Sequence, residues 1–239
     1  MQVDQTDLAY LYSLRELGIL EDVARHRLPA RTKGGTQIVS CADSDQFNDI
    51  YQRHIHLSGC SRCAPLNHYG GALVIPSHSP ASALGQSELV KDQLFLGYAL
   101  GKGDVQVHVS HFPCGVAAGY GLSARACLML LCDARDDALD FFQKRIENIA
   151  NYLENAAHFD HMECEQICLA TKLPLREVLA IQRVVRCSSI ETLQSIVMPS
   201  DDTVLSHFHI NWENDKRRTY HLNRKRFKEF AKTQRQDAA

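Results

Sequence analysis

His111 and Cys114 stand three residues apart in the run His-Phe-Pro-Cys-Gly, where an imidazole and a thiolate can share one tetrahedral ion from the turn after a strand. Far upstream, Cys41 opens the run Cys-Ala-Asp-Ser and also follows a strand-like stretch. A complete strand, helix and strand unit separates the two positions. Together they form a constellation that zinc would suit, whereas any one of these residues alone is more often a buried thiol or a satisfied core histidine. Asp43, two residues beyond Cys41, is placed to cap a helix.

A rival cluster is His54, His56, Cys60, Cys63 and His68, in which Cys60-x-x-Cys63 has the spacing of a zinc knuckle or a redox pair. A structural zinc site needs a second ligand pair, and no later Cys-x-x-Cys or His-x-x-x-His supplies one. Surface histidines and loop thiols are the expectation there. Cys164 and Cys168 have helical spacing and are expected to face a core. No Gly-x-Ser-x-Gly elbow supports a serine nucleophile, and no glycine-rich phosphate loop is present.

The elements that would position Cys41 and His111 alternate between strand and helix. Residues 6 to 17 carry Leu8, Leu11, Leu14 and Leu17 at helical spacing, with Thr6 or Asp7 as cap and Gly18 as stop. Gln37 to Ser40 reads as a strand ending at Cys41, followed by a helix over Phe47, Ile50, Tyr51 and Ile55 capped by Asp43 or Ser44. Ala72 to Ile75, between Gly70-Gly71 and Pro76, reads as a second strand, and Ala81 to Leu100 as a helix stopped by Gly101. Val105 to Ser110 is a strand that terminates at His111. Helices are predicted over Asp136 to His158 and Pro174 to Cys187. A hairpin is predicted from Thr203 to Trp212 and Arg218 to Leu222 around Glu213-Asn214-Asp215. This order implies an α/β fold with a mainly parallel central sheet flanked by helices, whose ligands gather at the carboxyl ends of the strands.

Cys41, Asp43 and Ser44, with His111, Cys114 and Gly115, resemble the Cys-x-Asp-Ser-Arg and His-x-x-Cys-Gly motifs of the β-class carbonic anhydrases over roughly Thr36 to Ser123. The resemblance implies that fold, a zinc ion held by Cys41, His111 and Cys114, and reversible hydration of carbon dioxide to bicarbonate by hydroxide generated at zinc. It assigns Asp43 a catalytic hydrogen bond to that hydroxide, and it implies a homo-oligomer of even order. The sequence departs at Asp45, where the family has an arginine that pairs with the aspartate. Without that cation Asp43 is free to become a fourth ligand, unless Arg53, Arg62 or Arg125 reaches in. Two alternatives keep the fold and the metal. One is hydrolysis of another small linear substrate such as carbon disulfide, and the other is a non-catalytic zinc protein with a closed site.

Composition limits the remaining possibilities. Nine cysteines, an odd count, without an export signal favour thiols or metal ligands over disulfides and a cytoplasmic location. The longest apolar run, Ala126 to Cys132, is far short of the ~20 residues of a membrane span. A formal charge of -2 argues against a surface built for nucleic acid. Residues 216 to 235 nevertheless hold nine basic residues and a single acid, Glu229. Phe227 and Phe230 among those bases suit an amphipathic helix docked on the body or on a partner subunit. The expected organisation is a helical arm over 1-35, an α/β zinc-binding core over 36-200, and a hairpin with a basic helical tail over 201-239.

Overall fold

The computed structural model describes residues 4–23, 35–43, 47–48, 50–52, 54, 63–99, 105–155, 203–211 and 218–236. Six strands form one sheet: β1 (Leu20–Asp22), β2 (Thr36–Cys41), β3 (Cys63–His68), β4 (Val105–Phe112), β5 (Val204–Ile210) and β6 (Arg218–Leu222), in the order β1-β6-β5-β4-β2-β3. The strands β3, β2, β4 and β5 run parallel, while β6 pairs antiparallel with β5 and with β1. The mainly parallel sheet expected from the sequence is thus a mixed one, because the β5-β6 hairpin and the short β1 close one side with reversed strands. Every residue of β2 and β4 is buried, which is why both read as unbroken runs of sheet formers.

Helices cover the sheet. The helices α1 (Gln5–Glu16), α2 (Gln86–Ala99), α3 (Gly115–Gly119), α4 (Ala124–Asn155) and α5 (Arg224–Gln236) contribute to one large core. Leu11 and Leu14 of α1, Val90 and Leu94 of α2, Leu128 and Leu131 of α4 and Phe227 of α5 meet Val39, Phe208 and Ile210 of the sheet there. The opposite sheet face carries Ile38, Val105, Val107 and Val109, packed with Ile50 and Tyr51 of the helical residues after β2. Arg145 of α4 pairs with Asp92 of α2 at 2.8 Å, joining two helices that also meet edge to face through Phe95 and Phe142. Among the described residues, no helix is long and apolar enough to cross a membrane.

Several local expectations change. Ala72 to Ile75 is no strand: Gly71–Val74 is a 3-10 turn, held by Leu73 N–H to Gly70 O and Ile75 N–H to Ala72 O, both 3.2 Å. A short apolar run between glycines does not distinguish a strand from a buried turn, and positive φ at Gly70 (94°) and Gly71 (58°) decides the matter. The strand beside β2 is instead Cys63–His68, which contains Pro65 and is tolerated because it lies at the sheet edge. Asp4, not Thr6 or Asp7, caps α1 by accepting from Thr6 N–H at 2.8 Å. Asp7 accepts from Ala124 N–H at 3.0 Å and so serves the start of α4. The helix predicted from Asp136 begins twelve residues earlier, at Ala124, since the apolar run after Ala126 is its buried first half. The predicted helix over Pro174 to Cys187 lies outside the described residues, as does the tip of the β5-β6 hairpin.

Candidate metal centre

Parallel strands β2 and β4 lie side by side with Val39 opposite His108, so their carboxyl ends emerge together at Cys41 and His111. Cys41 is the last residue of β2, and His111 is the penultimate residue of β4, which runs two residues past the predicted Ser110, to Phe112. The chain then turns through Pro113, after a cis Phe112-Pro113 peptide, and Cys114 occupies the position just before α3. Asn211 N–H donates to Phe112 O at 2.8 Å and holds this turn against the end of β5. One Sγ each from Cys41 and Cys114 and one ring nitrogen from His111 lie within 4.8 Å of one another, and all three residues are buried.

A tetrahedral zinc ion with ordinary bond lengths needs ligand atoms about 3.5 to 3.8 Å apart, so a contraction of the order of 1 Å would suffice. Among the described residues the His111 ring, 1% exposed, finds no partner outside the cluster, where it meets the Cys41 sulfur. An orphaned buried imidazole costs free energy unless something takes its lone pair. The donor set fits a metal ion, two thiolates beside one imidazole being ligands that soft and borderline metals accept.

The surroundings favour thiolate. Cys41 is held well below the usual thiol range, first by the Cys114 thiol beside it, then by His111 and the Gly70 N–H, against the opposing effect of burial. Gly70 N–H reaches Cys41 Sγ at 3.4 Å. Cys114 is pushed up, because it donates to Cys41 and because it is buried, while N–H groups of Ala117 and Val116 in α3 oppose that rise. Without a cation only one of the two sulfurs is comfortable as an anion. A divalent ion removes the conflict and allows both to ionise.

Other sequence candidates fall elsewhere. Asp43 is half-buried just after β2 and accepts Phe47 N–H through its backbone carbonyl at 3.1 Å, which fits the predicted helix start. Its carboxylate lies outside the three-ligand cluster. Ser44, Asp45, Arg53, Arg62, His56, Cys60, Cys164 and Cys168 lie outside the described residues, so the rival Cys60-Cys63 pair and the replacement cation are without a structural description. Arg125 sits half-buried in the first turn of α4, near Tyr10; burial takes that phenol up to about 12, against the opposing pull of the Arg125 charge. Cys63 opens β3, and His68 closes it opposite Cys41. Among the described residues, Cys41, His111 and Cys114 are the one group of three or more that could hold a metal.

The sequence reading missed the buried His207 and His209 next to this centre, and its expectation of surface histidines fails at His54, which is 1% exposed. His209 stands opposite His111 in register, and His207 one step back stands opposite Val109. His54 Nε2 meets His207 Nδ1 at 2.7 Å, and His207 meets His221 edge to face. The available signal was the alternation of His207 and His209 with Phe208 and Ile210, which puts both histidines on one sheet face. No protein-family model, curated protein or solved structure matches the chain.

Proposed function

We propose that this chain is a zinc protein similar to the β-class carbonic anhydrases, and that it hydrates carbon dioxide reversibly. The observation that carries this reading is the buried Cys41, His111 and Cys114 cluster at the carboxyl ends of two adjacent parallel strands. Four parallel strands closed on one side by the antiparallel β6 and β1 are in keeping with it.

Zinc bound by Cys41, His111 and Cys114 would supply Lewis-acid activation of water, bringing its pKa to about 7. The chain's own residues do the rest. With the ion bound both Cys41 and Cys114 would ionise, and the N–H groups of Gly70, Val116 and Ala117 favour those charges. Phe112 and Val116 exclude water on the flank of the α-helical core. Asp43 would accept a hydrogen bond from an O–H of the activated water and so orient its oxygen toward carbon dioxide, the released proton passing to solvent. Self-association into a dimer or larger even assembly is part of the same reading.

A second reading rests on Asp45, which puts a carboxylate where the family pattern has a cation. With that pairing lost, Asp43 closes the site and the protein binds zinc without turnover. The two readings separate in stopped-flow hydration by zinc-loaded wild type, Asp43→Ala and Asp45→Arg. Hydration by wild type that Asp43→Ala reduces at least tenfold supports the enzyme. An inactive wild type that gains hydration in Asp45→Arg supports the closed site, and inactivity of all three with zinc retained excludes hydration as the function.

A further inference from the structure

The sheet places a second imidazole directly beside the one that would ligate the metal. In β4 and β5, His111 and His209 are register partners, so both side chains leave the same face about 4.8 Å apart along the hydrogen-bonding direction. His209 is paired in turn with Thr219 of β6, and its Nδ1 lies 3.0 Å from Thr219 Oγ1. All three side chains are buried, at 1%, 2% and 1% exposure. The row therefore runs from the candidate metal centre as His111, His209 and Thr219 across the three adjacent strands β4, β5 and β6.

An imidazole that ligates through one nitrogen needs a partner on the other to fix its tautomer and ring angle. Apart from Cys41 in the cluster itself, His111 has no partner among the described residues. We propose that His209, oriented by Thr219, is the positioning residue for His111, engaging its non-ligating nitrogen directly or through one buried water once the metal takes the other. This rests on the zinc reading of the centre. Thr219 can serve His209 Nδ1 as donor or acceptor, and the proposal assigns His209 Nε2 to His111. One step back, His207 provides an internal contrast: it is equally buried on the same face, yet its β4 partner is Val109 and its ring is bonded to His54.

The test uses the full-length protein with zinc affinity measured by chelator competition, and with Co²⁺ in place of zinc so that the visible ligand-field bands report coordination geometry. The variants are His209→Leu, His209→Gln, Thr219→Val and His207→Leu. The expected result is a roughly 10- to 100-fold weaker zinc affinity and shifted cobalt bands in His209→Leu. Thr219→Val should show a smaller change in the same direction, and His209→Gln, which keeps a hydrogen-bonding end, should restore most of the affinity. His207→Leu should lower stability while leaving the bands in place. Unchanged affinity and bands in His209→Leu would overturn the proposal, as would equal shifts in His207→Leu, which would show general loosening of that face. If His209→Leu does not fold, Thr219→Val decides by the same two readouts. A wild type that takes up no zinc defeats the metal reading itself, whereas zinc binding dependent on Cys41, His111 and Cys114 but indifferent to His209 defeats this inference alone.

Discussion

Gly71 lies so close to the end of β2 that a Cβ on it would sit 2.8 Å from the Cys41 nitrogen and 2.7 Å from the Val109 carbonyl oxygen. Both neighbours are backbone in the buried sheet, so neither can move aside cheaply. The φ of +58° adds a conformational penalty for any residue with a side chain. The close approach has a purpose in the site, since it brings the preceding Gly70 N–H to Cys41 Sγ. Gly71→Ala should therefore destabilise the fold by about 2 kcal/mol or more and weaken metal retention at the same time. Urea unfolding and metal analysis on one preparation check this; a Gly71→Ala variant with unchanged midpoint and metal content would remove the packing argument.

His108 predicts an acid-sensitive fold. It is fully buried in β4, with both ring nitrogens lacking partners, and burial first, then the charges of Arg224 and Arg135, take its pKa down from 6.5 to about 3. The unfolded chain thus binds a proton below about pH 6.5 that the folded chain refuses until about pH 3. Its contribution to stability is complete above about pH 6.5 and is lost as pH falls through that window, by at most about 1.4 kcal/mol per unit. Replacing His108 with Leu should flatten the pH dependence of stability between about pH 4 and 6 relative to wild type. Parallel curves for the two proteins would show that His108 is not the group responsible.

The basic tail behaves as a docked helix. Phe227 is fully buried, Phe230 packs on the same core with its ring 6.4 Å from that of Tyr10, and Lys228 pairs with Asp136 of α4. Phe227→Ala should cost about 3 to 5 kcal/mol through lost burial and a residual cavity. Asp136→Asn should cost under about 1 kcal/mol, because that pair is 45% exposed on both sides and solvent screens it. Thermal or urea denaturation ranks the two, and truncation after Leu222 should impair solubility more than metal binding. An Asp136→Asn effect equal to that of Phe227→Ala would mean the helix is held by charge.

The two strands that carry the ligands were legible because each is a run of sheet formers ending in a residue with obvious chemistry. The edge strand Cys63–His68 was not, since Pro65 and Asn67 conceal it locally and only pairing with β2 defines it. Ala72 to Ile75 misled for the converse reason: apolar content records burial, and the backbone angles at Gly70 and Gly71 determine the shape. The cap of α1 was misplaced because Asp7 is engaged by α4, a contact more than a hundred residues away in sequence. The candidate ligands Cys41, His111 and Cys114 were legible from motif spacing and come together in space. His209 could not be found in this way, as its place beside His111 depends on the register of β4 against β5.

The most direct test of the zinc centre is elemental analysis of purified full-length protein near neutral pH, combined with X-ray absorption at the zinc edge. The account predicts about one zinc per chain with two sulfur ligands near about 2.3 Å and one imidazole nitrogen near about 2.0 Å, completed by an oxygen. It also predicts that Cys41→Ala, His111→Ala and Cys114→Ala each lose that zinc. Protein without stoichiometric zinc, or zinc that persists in all three variants, would contradict it.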